Sequence, residues 1–264
     1  QSRLDSVLET FFIDSQHVCF LSELKEEQIT DHLCESPRSV AFLGQESGRV
    51  CPEGISFETR RGCLFIHAGS RIRRKGSKAR AGVFIALGPR FTRLWNTTGK
   101  LLSHSMRHVA IELRLSGHRI CVASAYAPLS TSSSRLRSSF CSELASFASD
   151  STRSVIVGID SNSSVGTGRH GLAESVGPHN LPHVNAAGRD FQDFLTTHSL
   201  CLADTFFPKR NELAMTSWIH HRTGQPYSLD HFVTDPHTRT RHVLNCKKSA
   251  WGVDSDHSAM RITL

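Results

Sequence analysis

The chain has 264 residues, with 31 Lys and Arg against 24 Asp and Glu, a formal net charge of +7 before its 16 histidines are counted, and 38% hydrophobic residues. That is enough apolar chain to build its own core, yet no run of about 18 apolar residues that could span a membrane occurs and no secretory leader opens the chain. The eight cysteines are spread out with no C-x-x-C pair, which excludes a zinc finger and reads as reduced thiols of an intracellular, non-secreted protein, while the positive excess suits a polyanionic partner.

In chain order, Leu4, Val7, Leu8, Phe11 and Phe12 recur at helical spacing and predict an amphipathic helix over residues 3–15. Val18-Cys19-Phe20-Leu21 follows as a short strand. Further strands are predicted at Ser39-Val40-Ala41-Phe42-Leu43, Cys63 to His67, Gly82 to Leu87, Arg107 to Leu113 and Ile120 to Tyr126, most of them separated by Gly, Pro or Ser clusters. Leu136, Phe140, Leu144 and Phe147 mark a second helix, entered through a serine cap from the Ser-rich stretch before it and running into the strand at Val155 to Ile159. Phe191, Phe194 and Leu195 mark a third helix, before the segment Leu200-Cys201-Leu202-Ala203-Asp204, read as a strand. Leu229 to Val233 and Ala259 to Ile262 complete the strands. Strands outnumber helices, and helices fall between groups of strands instead of after each one. The expected fold is therefore an α/β two-sheet sandwich, in a single domain over residues 1–264.

Two histidine pairs, His104 with His108 and His179 with His183, have i,i+4 spacing. Neither carries the Glu of a zincin motif, so all four read as surface residues. Chemistry concentrates elsewhere. Val155-Ile156-Val157-Gly158-Ile159-Asp160-Ser161-Asn162 is an apolar strand ending in an acid and an amide, Leu229-Asp230-His231-Phe232-Val233 carries a carboxylate, and Ser255-Asp256-His257 precedes the last strand. Carboxylates on several strand ends offer oxygen ligands to a hard cation, and an imidazole beside them can meet a phosphate. Arg71, Arg73, Arg74, Lys75, Lys78 and Arg80 put six cations into ten positions between two predicted strands. Such a loop grips a phosphate backbone or is a solvated hairpin tip.

Phe20-Leu21-Ser22-Glu23-Leu24-Lys25 resembles the L-Q-E-T-K element of the endonuclease/exonuclease/phosphatase (DNase I-like) superfamily. Arg80 to Ile85 resembles its G-G-V-A strand and Ala125-Tyr126-Ala127-Pro128 its Y-x-P element. Gly158-Ile159-Asp160-Ser161-Asn162 resembles G-D-F-N with one extra residue, Thr216-Ser217-Trp218 the T-W element, Leu229-Asp230-His231-Phe232 the I-D-Y/H strand, and Ser255-Asp256-His257 the S-D-H ending. The resemblance is nearest to non-LTR retrotransposon and abasic-type endonuclease domains. It implies a metal-dependent phosphodiester hydrolase that nicks DNA, with Mg²⁺ or Mn²⁺ held by Glu23 and Asp256. Asp160 would orient the attacking water and Asn162 donate to a phosphate oxygen. His257, its ring held by Asp230, would bond the scissile phosphate together with Tyr126. Asn185, Arg73, Arg74 and Lys75 would contact nucleic acid, Asn185 having helix capping as an equal alternative. Neither a membrane nor an obligate protein partner is implied, and the expected location is intracellular, the nucleus included.

Two departures matter. The family's first strand, which carries an Asn, would precede Gln1, so the chain reads as incomplete at its amino end. The residues after Trp218 and before Asp230 lack the abasic-repair pocket pattern, which favours the retrotransposon branch. A phosphatase or other phosphodiesterase on the same fold, and an inactive nucleic-acid-binding remnant, stay open as alternatives.

Overall fold

Cys63-Leu64-Phe65-Ile66 and Gly82-Val83-Phe84-Ile85-Ala86-Leu87 are apolar on both faces, as strands covered on both sides must be, and every residue of the second run is buried. The computed structural model describes residues 18–24, 55–60, 62–69, 82–168, 173–248 and 257–264. The helix expected over 3–15, the strand at 39–43, the cationic run with Arg73, Arg74 and Lys75, and Asp256 lie outside the described residues. Two compact units divide the chain, Gln1–Tyr126 and Ala127–Leu264.

In the first unit, β1 (Val18–Leu24), β2 (Ile55–Arg60), β3 (Cys63–Ala68) and β4 (Gly82–Leu87) form an antiparallel sheet in the order β1-β4-β3-β2. Helix α1 (Pro89–Thr98) starts on a proline, whose fixed φ suits the first helical turn. Its buried Thr92 hydroxyl accepts from the Leu64 N–H at 2.9 Å and donates to the Leu87 carbonyl at 3.0 Å, tying the helix to two strands. Then β5 (Lys100–His104), β6 (His108–Leu115) and β7 (His118–Tyr126) run as an antiparallel meander. Ser116 and Gly117, both at positive φ, make the tight turn between β6 and β7. Leu64, Ile66, Val83, Ile85 and Leu87 share one buried cluster with Val109, Ile111, Leu113 and Val122. Two sheets thus face each other within this unit, as the expected sandwich requires.

One reading fails here. His108 is 2% exposed, and its ring nitrogens bond the Ser103 and Ser105 hydroxyls at 2.8 and 3.0 Å. Its i,i+4 spacing from His104 was judged as if on a helix surface, whereas His108 opens a strand and pairs with Ala125 across the sheet. Burial, helped by His104, pushes its imidazole down to about 4.

In the second unit α2 (Ser134–Ala148) is capped by Ser133, and Phe140, Leu144 and Phe147 line its buried stripe. Next come β8 (Ser154–Asp160), α3 (Ala186–Thr197) and β9 (Cys201–Leu202). The strand expected at 200–204 is only Cys201–Leu202, because Ala203–Phe206 turns into a 3₁₀ helix that buries Asp204. After it come α4 (Glu212–Met215), the paired β10 (Trp218–Ile219) and β11 (Pro226–Tyr227), β12 (Asp230–Thr234), α5 (Pro236–Arg241), and the paired β13 (Asn245–Lys248) and β14 (Met260–Thr263). β12 lies antiparallel between β8 and β9. Among the described residues no helix is long and apolar enough to cross a membrane, and Cys63, Cys121, Cys141, Cys201 and Cys246 form no disulfide with one another.

Candidate active site

Antiparallel pairing sets the end of β8 beside the beginning of β12, and the register matches Asp160 with Asp230. Directly opposed side chains project from the same face of a sheet, so two carboxylates meet at one edge. His257 completes the group. One potential ligand atom from each of Asp160, Asp230 and His257 lies within 4.8 Å of the others. The His257 Nδ1–H donates to Asp230 Oδ2 at 2.8 Å, which fixes Nε2 as the ring's other nitrogen. Asp160 is 3% exposed, while Asp230 and His257 are about one-fifth exposed at their side chains. The site is therefore buried on one side and open on the other.

Short polar bonds hold these groups. The Asn162 N–H donates to Asp160 Oδ1 at 2.9 Å, and Asn162 Nδ2 donates to the Ala127 carbonyl at 2.8 Å. Asn162 has φ +47, a left-handed conformation that Asn tolerates better than most side chains. The Ala127 N–H in turn donates to the Asp160 carbonyl at 2.9 Å. On the other strand, Ser217 Oγ accepts from the N–H groups of Leu229 and Asp230 at 2.8 and 3.0 Å. Its carbonyl accepts from Ser258 N–H at 2.7 Å, and Trp218 bridges to His257. Ser217 is thus the frame between the Asp230 strand and the His257 segment, a role invisible in Thr-Ser-Trp read alone.

A second Asp–His pair lies behind the first. The His231 ring bonds Asp204 at 3.0 Å and the Ser228 carbonyl at 3.2 Å, and both side chains are buried. Burial opposes charge on both. The attraction between them wins, holding the Asp204 carboxyl below its ordinary range and the His231 imidazole above its own. Asp204 also accepts the Phe232 N–H at 2.9 Å, so the pair fixes the path of β12 next to Asp230.

No family model and no curated protein matches the sequence. Solved structures do. An AP endonuclease from Leishmania major superposes with a TM-score of 0.60 at 13% identity, covering 98% of this chain and 83% of that one. An endonuclease/exonuclease/phosphatase family protein from Leptotrichia buccalis gives 0.60 at 13%, covering 99% and 92%. The D. rerio TDP2 structure, solved with a single-strand DNA product, gives 0.57 at 13%, covering 99% and 90%. The chain has the DNase I-like fold.

Of the residues expected in the site of this DNase I-like chain, Asp160, Asn162, Asp230 and His257 come together in the second unit. Tyr126 ends β7, half-buried and touching the core of the first unit. Glu23 lies in β1, near its end. Asn185 caps α3, its Oδ1 accepting from the Gly188 N–H at 2.7 Å. The cluster that fits a cation among the described residues consists of Asp160, Asp230 and His257, residues expected to act on water and phosphate; Asp256 and the side chain of Glu23, the expected ligands, lie outside what is described. Its donor set suits a hard divalent ion: two adjacent carboxylates repel unless a positive charge offsets them. Asp204, His231 and Ser217 were missed, and no local spacing marks them.

Proposed function

We propose that this DNase I-like chain is a divalent-metal-dependent phosphodiester hydrolase that nicks DNA, of the retrotransposon endonuclease type. The observation that carries the reading is the paired Asp160 and Asp230 with His257 bonded to the latter. Asp160 and Asp230 would hold the ion, with Glu23 and Asp256 as the further ligands the sequence resemblance implies. Such an ion supplies positive charge where the phosphate gains negative charge.

The remaining chemistry belongs to side chains. The Asp160 carboxylate accepts a hydrogen bond from the attacking water and aligns it. Asp230 fixes the His257 ring, so that Nε2 would meet a non-bridging phosphate oxygen. Asn162 holds the loop after Asp160 through Ala127, the residue that follows Tyr126 in the chain, and Tyr126 would add its hydroxyl to the phosphate.

Nucleic acid is favoured over a small phosphate ester by the net charge of +7 and by rings flanking His257. Trp218 lies 6.3 Å from His257 and 5.6 Å from Tyr227, and His220 and His221 stack at 5.2 Å. All four rings are at least partly exposed, and rings open to solvent can serve as platforms for bases. The Leishmania relative is named an AP endonuclease and the D. rerio one was solved with a DNA product, which agrees with this substrate class. The test is nicking of supercoiled plasmid with Mg²⁺ and its loss in EDTA. A well-folded wild-type chain that leaves plasmid and oligonucleotide intact across Mg²⁺ and Mn²⁺ would reduce it to a binding remnant.

A further inference from the structure

We propose that Arg107 grips a phosphate of bound DNA, presented beside Tyr126 by a braced hairpin turn; the proposal rests on the reading of Tyr126 as a phosphate ligand. The turn between β5 and β6 closes where the Ser105 N–H donates to the His108 carbonyl at 2.8 Å. Beneath it the buried His108 ring is bonded on both nitrogens by Ser103 and Ser105, and Ser105 Oγ also accepts from the Arg107 N–H at 3.1 Å. The Arg107 carbonyl accepts from the Tyr126 N–H at 2.8 Å, so the arginine is locked backbone to backbone against the end of β7.

Its guanidinium turns back over Tyr126. Cζ lies 5.8 Å from the ring centroid, and Nη1 donates to the Tyr126 carbonyl at 3.5 Å. A cation over an aromatic face within about 6 Å is held there, although weakly where water reaches it. No carboxylate among the described residues pairs with it. A solvated surface arginine loses rotamer entropy when it clasps an anion; this one has lost part of it already. Its planar donor fork suits a phosphate diester, and a phosphate accepting from the Tyr126 hydroxyl would bring its charge close to that fork.

The experiment measures binding of a fluorescein-labelled DNA duplex of about 20 base pairs in EDTA, by anisotropy, between about 50 and 200 mM salt. Wild type is compared with Arg107→Gln, which keeps a donor for the Tyr126 carbonyl but no charge, and with Arg107→Lys, which keeps the charge. Arg107→Gln is expected to weaken binding about tenfold at the lower salt and to flatten log K against log salt by about one unit, Arg107→Lys to hold the slope. Thermal melts of both variants should match wild type. Wild-type affinity and slope in folded Arg107→Gln overturns the proposal. Plasmid nicking is read separately: a wild type that nicks while Arg107→Gln binds unchanged sinks this inference alone. A wild type that never nicks, with the slope flattened in Arg107→Gln, sinks the nuclease and leaves the phosphate contact standing.

Discussion

Two carboxylates opposed across a strand ladder repel, and a fold keeps such a pair at an open edge only at a loss of stability. Asp160 and Asp230 stand in that relation. Replacing Asp160 by Asn should remove the repulsion together with the carboxylate proposed to align water. The expected outcome is a melting temperature no lower than wild type, with plasmid nicking reduced at least about a hundredfold. In wild type, added Mg²⁺ or Mn²⁺ should raise the melting temperature, since an ion bound only by the folded chain stabilises it, and Asp160→Asn should lose most of that rise. Ser217→Ala leaves the Leu229 and Asp230 N–H groups without their shared acceptor. Urea denaturation should show a loss of about 1–3 kcal/mol, accompanied by weaker nicking as Asp230 loses its backbone support. At this scale the sequence was legible where a residue is proposed to act on the substrate: Asp160, Asn162, Asp230 and His257 stand out as acids, amides and imidazoles at strand ends. Ser217 and Asp204 act on other residues of the protein, and nothing nearby in the sequence names their partners.

Helix α3 shows how an element positions the site without touching it. Asn185 caps it, and the Asn185 N–H donates to the Ser164 carbonyl at 3.1 Å, which ties the helix start to the loop that leaves Asp160. Gly188 lies in the first turn, where a Cβ would run into the Ser164 carbonyl. Asn185→Ala should cost about 1 kcal/mol by denaturant unfolding, and Asn185→Asp much less, because a carboxylate accepts the same N–H bond. If Asn185 serves nucleic acid instead of the helix, both variants keep wild-type stability and lose affinity. Helices α2 and α3 were readable because their apolar residues recur over several turns. α1, α4 and α5, and strands β2, β5, β10, β11 and β13, were not. They are short, and their residues take up strand or helix geometry through contacts from far along the chain, such as Lys248 Nζ bonding the Leu213 carbonyl at 3.1 Å.

For the molecule as a whole, acid should be destabilising, and His108 is one named cause. Above pH 6.5 its imidazole is neutral whether the chain is folded or not. Below that the unfolded chain takes up a proton that the folded one refuses until about 4, so stability falls as pH drops across this window. The gap corresponds to roughly 3 kcal/mol. Denaturant melts of wild type and His108→Gln between pH 7.5 and 4.5 should converge as the pH falls, since only wild type carries this term. Composition and periodicity were sufficient for the class of fold and the number of strands relative to helices, because each depends on averages along the chain or on neighbours a few residues apart. The order of motifs was sufficient to name the acids and the imidazole. What tertiary structure alone decided is that Asp160 faces Asp230, that His257 turns Nδ1 toward that carboxylate, and that Ser217 and the Asp204–His231 pair hold the strand beneath them. Those facts depend on strand register and on burial, which join residues up to about a hundred positions apart and leave no local pattern to read.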